Sequence, residues 1–431
     1  MRPTARSEGP LGQAAILVGC RTGRESREEA QESLEELARL LDTAGGTEVH
    51  REVCEVRRPM PATFIGSGTI DRLKSLIDGF ANPVRCVVFD VDLTPVQQRN
   101  LEDRWETMVM DRTGLILDIF ARRARSAEGK LQVELAQLQY LMPRLRGMWT
   151  HLSRQGAGIG TRGPGEKVLE VDRRRIRQRI SLVKKRLEDV RRTRGLHRRT
   201  RRRREAPTIA LIGYTNAGKS TLLNVLTGAD VFVEDRLFAT LDPTTRALRL
   251  PGNVPALLSD TVGFIRKLPH HLVESFKATF EEVALADLLV HIVDAAHPRM
   301  EEQVQAVQQV LDDMDLSDRP MLTVYNKIDQ VESEIWLRRL VEAHQPAVAI
   351  SAKTGRNLES LLAMLAKMLG AQRRLVHLRV PLSRPDLIYM IRTGADVVEE
   401  TEDGNDLLLT AWMDRRLADL TGEYEDVGDR A

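Results

Sequence analysis

Residues 208–228 read TIALIGYTNAGKSTLLNVLTG. A strand-like run leads into GYTNAGKS, which fits the phosphate-loop pattern GxxxxGK[ST], and a helix-forming run follows. In this context successive backbone N–H groups can surround phosphate oxygens, Lys219 can reach the β- and γ-phosphates, and the Ser220 hydroxyl can bind Mg²⁺. The sequence therefore predicts a nucleotide-binding loop that comprises Gly213, Tyr214, Thr215, Asn216, Ala217, Gly218, Lys219, Ser220 and Thr221.

Two later segments predict that the base is guanine. The apolar run MLTVY leads into NKID, where Asp329 can accept hydrogen bonds from both guanine N1–H and the exocyclic amine. Adenine offers no such pair of donors, and a buried site built on hydrogen bonds rejects the wrong base strongly. Asn326 can bond guanine O6 and N7, Lys327 can lie over the ring, and the backbone of SAK can face O6. The predicted base pocket comprises Asn326, Lys327, Ile328, Asp329, Ser351, Ala352 and Lys353.

The segments between these motifs predict the loops that respond to the γ-phosphate. In LLSDTVGF, Asp260 ends a strand and can bind Mg²⁺ through water, and the Gly263 N–H can meet the γ-phosphate. In FATLDPTTR, Thr240 is our choice for the threonine that closes over Mg²⁺, and Thr244 and Thr245 are alternatives. Catalytic roles are assigned to Lys219, Thr240 and Gly263, and Mg²⁺ ligation to Ser220 and Thr240. The nucleotide contacts here are Phe238, Ala239, Thr240, Leu241 and Asp242 in one loop and Asp260, Thr261, Val262 and Gly263 in the other.

Many GTPases carry, directly after the glycine that meets the γ-phosphate, a glutamine that orients the attacking water, and this sequence has no glutamine at that position. Phe264 follows Gly263, and a phenyl ring can neither orient nor deprotonate water. We therefore expect slow intrinsic hydrolysis that a partner accelerates. Arg266 and His270 are possible helpers within the chain, although no motif supports them.

Two heptad-like seams predict an antiparallel helical hairpin. Apolar residues from Leu131 to Leu145 step by 4, 3, 4, 3, and residues from Ile176 to Val190 repeat that spacing. Between the seams lies RQGAGIGTRGPGEK (154–167). Gly158, Gly160 and Gly163 imitate a dinucleotide motif, but no strand precedes them, so a dinucleotide site is disfavoured. The segment is either a plain connection or a functional tip, and we favour the tip because a few residues would suffice to join two helices.

The net charge of +2 conceals a strongly basic segment. Residues 173–204 contain 17 Lys and Arg against two acids, which leaves the rest of the chain acidic. A solvated coiled-coil face normally mixes signs, so a single sign favours contact with a polyanion over a bare helix face. Only 4% of residues are aromatic, which disfavours binding of single strands by base stacking and favours contact with phosphates. The end of this segment, 192–207, lacks the heptad and is predicted to be a flexible linker.

The ends of the chain predict two further α/β units. The first 120 residues alternate strand-like and helical runs typical of a small parallel sheet, and residues 396–430 contain 12 Asp and Glu against three Arg. The fold class is α/β: an N-terminal α/β domain (1–120), a helical hairpin with a glycine-rich tip and basic linker (121–206), a P-loop GTPase domain (207–370) and a small acidic C-terminal domain (371–431). No run predicts a membrane span, so we expect a cytoplasmic protein and leave peripheral membrane association open. We also expect a monomer.

Several longer motifs resemble the HflX-type GTPases, a ribosome-associated family. They are FIGSG (64–68), DRTGLILDIFARRARSAEGKLQVELAQLQYLMPRL (111–145), GIGTRGPGE (158–166), VDRRR (171–175), FATLDPTTR and DTVGFIRKLPH. The resemblance implies GTP hydrolysis stimulated by the ribosome, binding of the 50S subunit, and separation of 70S ribosomes under stress or for recycling. It also implies that the 156–167 tip reaches toward the peptidyl transferase centre and that residues 173–204 contact rRNA. The alternative is a GTP-regulated rRNA-binding factor in 50S maturation or hibernation without splitting activity.

Overall fold

The computed structural model describes the backbone of residues 14–23, 25–145, 164–201, 206–228, 237–238, 240–251, 254–267, 282–370 and 373–425. Side chains are not described at 164–170, 191, 193–201, 373–374, 396 and 414–416. None of the helices in these described ranges combines the length and the apolarity needed to cross a membrane.

The N-terminal unit is a parallel sheet with helical connections, as predicted. Its four strands run in the order β2-β1-β3-β4 and pair in parallel. A capping box between Ser26 and Glu29 begins the first helix, and a second one between Thr94 and Gln97 begins the third. The elements are β1 (Ala14–Thr22), α1 (Arg27–Thr43), β2 (Thr47–Val56), α2 (Ser67–Gly79), β3 (Cys86–Phe89), α3 (Pro95–Trp105), β4 (Met108–Asp111) and α4 (Arg112–Arg123).

The hairpin is formed by α5 (Ala127–Arg144) and α6 (Pro164–Arg201). The predicted seams meet, because Leu135, Val183 and Leu187 are buried together. Helix α6 continues to Arg201, so the prediction of a flexible linker that begins at residue 192 is wrong for residues 192–201. Arginine is a strong helix former and needs no heptad to extend a helix. Residues 156–163 of the tip lie outside the described residues.

Among the described residues, the central sheet contains six strands in the order β10-β9-β8-β5-β7-β6, and of these only the edge strand β6 is antiparallel to its neighbour. The loops after β5, β7, β9 and β10 carry the predicted motifs, so the parallel strands bring them to one edge of the sheet. The elements are β5 (Thr208–Gly213), α7 (Lys219–Thr227), β6 (Thr244–Leu250), β7 (Val254–Asp260), β8 (Leu288–Asp294), α8 (Met300–Asp313), β9 (Met321–Asn326), a 3₁₀ turn (Ile328–Gln330), α9 (Glu334–Ala343), β10 (Ala347–Ala349) and α10 (Leu358–Gly370).

The C-terminal unit is a small antiparallel sheet in the order β11-β13-β12, with helices against one face. Its core is separate from that of the central sheet. The elements are β11 (Arg373–Pro381), α11 (Pro385–Gly394), β12 (Asp396–Asp403), β13 (Asp406–Asp414), α12 (Arg415–Leu420) and a 3₁₀ turn (Gly422–Tyr424).

One apolar core joins the N-terminal unit to the nucleotide loops. Residues of α1 and α4, such as Leu37 and Phe120, pack in the same cluster as Phe238, Leu241 and Phe264. The Phe120 and Phe238 rings meet edge to face at 4.7 Å. The N-terminal unit therefore touches the loops that would sense the γ-phosphate.

Candidate nucleotide site

The phosphate loop connects β5 to α7 and depends on glycine at both ends. Gly213 has φ +148° and Gly218 has φ +100°, which side chains rarely adopt. A Cβ at Gly213 would collide with the carbonyl of Ile292, and one at Gly218 would collide with the amide of Asn326. The intervening residues are thus held in a tight turn at the start of α7.

Lys219 is folded onto the loop that precedes it. Its Nζ donates to the carbonyl of Gly213 at 3.1 Å and to that of Tyr214 at 2.7 Å. Burial lowers the pKa of Lys219 to about 8, and the nearby Asp260 carboxylate opposes this shift. A phosphate group beside the ammonium would favour its charged form.

Three of the predicted Mg²⁺-site oxygens lie within hydrogen-bond distance of one another. The Ser220 hydroxyl donates to Asp260 Oδ2 at 2.6 Å, Thr240 Oγ1 donates to the same oxygen at 3.1 Å, and the two hydroxyl oxygens are 2.9 Å apart. Thr245 instead faces Ser259 from β6, with 3.0 Å between the hydroxyl oxygens. The geometry thus favours Thr240 over Thr245 as the residue that joins this cluster.

Asp260 carries a further oxygen that is available to a ligand. Its Oδ1 is buried and has no hydrogen-bond partner among the described residues. Burial raises the pKa of Asp260, and Lys219 opposes that shift. Two hydroxyls and a carboxylate with a spare oxygen are the hard oxygen donors that Mg²⁺ prefers, so the residues fit this ion.

The segment Thr261–Phe264 is tied to the phosphate loop through its backbone. Phe264 N–H donates to the Gly213 carbonyl at 3.0 Å, and Thr215 N–H donates to the Phe264 carbonyl at 2.7 Å. The Phe264 side chain is 1% exposed and lies in the core shared with the N-terminal unit. Of the two possible helpers, Arg266 pairs with Glu302 at 2.8 Å and His270 lies outside the described residues.

The base loops are braced against the phosphate loop. Asn326 donates from Nδ2 to the Ala217 carbonyl at 2.8 Å and accepts from the Ala352 N–H at 2.9 Å. Asp329 Oδ1 accepts a hydrogen bond from the Ser351 hydroxyl at 2.6 Å, and Lys327 pairs with Asp294 at 2.7 Å. Asn326 therefore hydrogen-bonds to both of the other loops, and the side chain of Asp329 is exposed.

In the Thr240 loop (238–242), the other described residues that were predicted to contact the nucleotide instead contact the rest of the protein. Phe238 and Leu241 are buried in the shared core. The carboxylate of Asp242 accepts the N–H groups of Arg125 and Ser126, each at 2.7 Å, and also the Ser126 hydroxyl. Ser126 is the N-cap of α5, so this loop is bonded to the first turn of the hairpin. Ala239 lies outside the described residues.

The Phe264 loop has a second set of partners that no sequence motif indicates. Arg112 is buried and donates to Asp90 at 2.7 Å, to Glu36, and to the Arg266 carbonyl at 3.2 Å. The Tyr214 hydroxyl donates to Glu36 and accepts the Arg266 N–H at 2.8 Å. Burial alone would lower the pKa of Arg112, but Glu36 and Asp90 hold it above its ordinary value. The N-terminal unit is thus hydrogen-bonded, through Arg112, to the backbone of Arg266, two residues after Phe264.

Three family models match consecutive parts of the chain. They are described as "GTP-binding GTPase N-terminal" (residues 31–121), "GTP-binding GTPase Middle Region" (123–201) and "50S ribosome-binding GTPase" (208–327). The chain is 46% identical to GTPase HflX of Lacrimispora saccharolytica, with 94% of this chain and 95% of the relative covered. Identity to GTPase HflX of Magnetococcus marinus is 47%, with 96% of each covered, and to that of Escherichia coli 45%, with 86% of each covered.

Proposed function

The chain belongs to the HflX family of GTPases, and from that premise we propose that it binds the large ribosomal subunit and separates 70S ribosomes into subunits. The observation that carries this proposal is the bond between Asp242 and the first turn of α5. It connects a loop next to the γ-phosphate site to a hairpin whose second helix is strongly basic. A change of nucleotide can therefore move a surface suited to RNA.

The basic face supports a ribosomal partner. Helix α6 packs against α5 through Val183 and Leu187 and exposes Arg174, Lys184 and Lys185. We propose that residues 173–204 and the 156–167 tip contact rRNA, because their cations can bind phosphates and because the adjoining residues 208–327 match a family model described as "50S ribosome-binding GTPase". A cytoplasmic location follows from such a partner.

We propose Mg²⁺ as the metal, held by Ser220 and Thr240 and, through water, by Asp260. The ion would neutralise charge on the β- and γ-phosphates. Lys219 would bind the same phosphates, and the Gly263 N–H would donate to the γ-phosphate. Because the Phe264 side chain is buried in the core, hydrolysis by the free protein would be slow and ribosome binding would accelerate it.

Sedimentation tests the proposal directly. Purified 70S particles are incubated with the protein and GTP, GDP or a non-hydrolysable analogue, and the free subunits are quantified on sucrose gradients. We expect free subunits with GTP and with the analogue, fewer with GDP, and none with the Lys219→Ala control. Stimulated hydrolysis with intact 70S particles would instead support a GTP-regulated rRNA-binding factor that acts in maturation or hibernation.

A further inference from the structure

Thr215, in the middle of the phosphate loop, carries a buried hydroxyl that the contacts so far leave unused. The residue is 6% exposed, and its Oγ1 has no hydrogen-bond partner in the described part of the chain. A buried polar group without a partner costs stability, and most such groups in native proteins are satisfied. The position therefore needs a reason beyond packing.

The Cα and the methyl carbon of Thr215 lie beside Gly263 and close to Lys219, both of which are predicted to bind the γ-phosphate, and the Thr215 hydroxyl is carried on the same Cβ as that methyl. A Cβ built on Gly263 would stand 2.8 Å from Thr215 Cα, 2.9 Å from Thr215 Cγ2 and 2.9 Å from Lys219 Nζ. Thr215 N–H is also bonded to the Phe264 carbonyl at 2.7 Å, which fixes the residue against the same loop. Since the lysine of a phosphate loop reaches the β- and γ-phosphates, this is the γ-phosphate end of the site.

The reaction needs a polar group at this end. Phe264 occupies the position after Gly263, and its ring is buried in the core, so it cannot hold the attacking water. The hydroxyls of Ser220 and Thr240 are already used in the oxygen cluster with Asp260. A threonine hydroxyl can accept one hydrogen bond and donate another, which suits a group that lies between a water molecule and a phosphate oxygen.

We propose that Thr215 Oγ1 positions the attacking water against the γ-phosphate during GTP hydrolysis. The water oxygen forms a bond to the γ-phosphorus as the bond to the bridging oxygen breaks, and that electron pair leaves on the β-phosphate of GDP. A proton of the water passes to a γ-phosphoryl oxygen, which yields inorganic phosphate. Thr215 stays neutral and takes no proton, so its contribution is orientation.

The test compares Thr215→Val, which keeps the shape and removes the hydroxyl, with Thr215→Ser, which keeps the hydroxyl. Intrinsic kcat and KM for GTP are measured without ribosomes, so the result does not depend on splitting activity. We expect Thr215→Val to lower kcat by about 10- to 100-fold with KM changed less than about threefold, and Thr215→Ser to stay within about fivefold of the parent. Thr421→Val is the matched control, because it removes a buried hydroxyl whose partners among the described residues all lie in the C-terminal unit.

Two further readouts separate positioning from a structural role. GDP affinity of Thr215→Val should match that of the parent, while the tightening of GDP binding by aluminium fluoride, which mimics the transferring phosphoryl group, should be lost. The nucleotide-free variant should unfold at the same or a higher temperature, because an unsatisfied hydroxyl has been removed. Parental kcat in Thr215→Val, equal losses in the two variants, or loss of GDP binding would each overturn the proposal.

Discussion

Asp329 illustrates how a single carboxylate can select the base. The residue is exposed, and one oxygen is held by the Ser351 hydroxyl at 2.6 Å. Asp329→Asn would place an amide donor against the N1–H and exocyclic amine of guanine. We expect GTP affinity to fall by at least about 100-fold and xanthosine triphosphate to become the preferred ligand, because mispaired polar groups are strongly rejected.

Titration of fluorescent GTP and xanthosine triphosphate analogues measures this change of preference. Asp318→Asn provides the control, since Asp318 is also exposed and lies in the turn before β9, away from the base loops. Parental GTP affinity in Asp329→Asn would refute the assigned base contact.

Residues whose chemistry is carried by contiguous motifs can be predicted from the sequence, and residues that act through tertiary contacts cannot. The phosphate loop and NKID are recognisable because spacing along the chain sets their geometry. Arg112 pairs with Glu36, 76 residues away, and bonds the Arg266 carbonyl, 154 residues away. No local pattern in the sequence predicts such a contact, because an arginine and a glutamate in helical segments are usually ordinary charged residues on a helix surface. The orphan hydroxyl of Thr215 is likewise visible only after its neighbours are placed.

At the scale of elements, the junction between the Thr240 loop and α5 makes a glycine necessary. Gly129 N–H donates to the Ser126 hydroxyl at 2.8 Å, and a Cβ at Gly129 would collide with Asp242. Glycine-to-alanine changes in helices usually stabilise by about 0.5–1 kcal/mol. Here we expect Gly129→Ala to lower the free energy of unfolding by about 1 kcal/mol, because the carboxylate must leave the helix cap.

Chemical denaturation compares Gly129→Ala with Gly68→Ala. Gly68 also lies in the first turn of a helix, and a Cβ there would meet nothing within 4 Å. The control should be neutral or stabilised. If both variants gained stability equally, the contact between Asp242 and α5 would be of no energetic consequence.

Most elements follow from patterning, and the exceptions have physical reasons. The strands of the central sheet and both hairpin seams match their apolar patterns. Strand β2 is not predicted from the sequence, because three consecutive polar residues, His50, Arg51 and Glu52, interrupt the apolar alternation of Thr47–Val56, which lies at a sheet edge. Heptad spacing underestimates the length of α6, because the spacing indicates only where the helix packs against another helix. An arginine-rich sequence can continue a helix beyond that packed region.

At the scale of the whole molecule, the buried cluster around Arg112 holds the N-terminal unit against the nucleotide loops. Arg112→Met removes the cation and leaves Glu36 with Tyr214 and Asp90 with Lys267 as the remaining partners. We expect the free energy of unfolding to fall by about 3 kcal/mol, because a buried ion pair loses one side. Arg58→Met, at an exposed position, should change it by less than about 0.5 kcal/mol. Equal stability of the two variants would show that the cluster does not hold the units together.

The exposed cations of α6 would determine how strongly RNA binding depends on salt. Each phosphate that a lysine or arginine neutralises releases counterions, so binding weakens with salt in proportion to the number of phosphates bound. A variant with four exposed cations of α6 changed to glutamine should reduce the slope of log affinity against log salt by about one unit for each phosphate that is no longer bound. Binding to 50S subunits is measured from low to high salt, together with GDP affinity, which should not change. The four positions are Arg174, Arg177, Lys184 and Lys185.

A charge-matched control decides whether position or total charge matters. The second variant removes four exposed arginines from the N-terminal unit, so both proteins carry the same net charge. If α6 binds rRNA, only the first variant flattens the salt dependence, because long-range attraction is screened beyond about 10 Å whereas direct ion pairs with phosphate are not. Equal slopes in the two variants would identify the face of α6 as solvated surface. The control positions are Arg57, Arg58, Arg85 and Arg104.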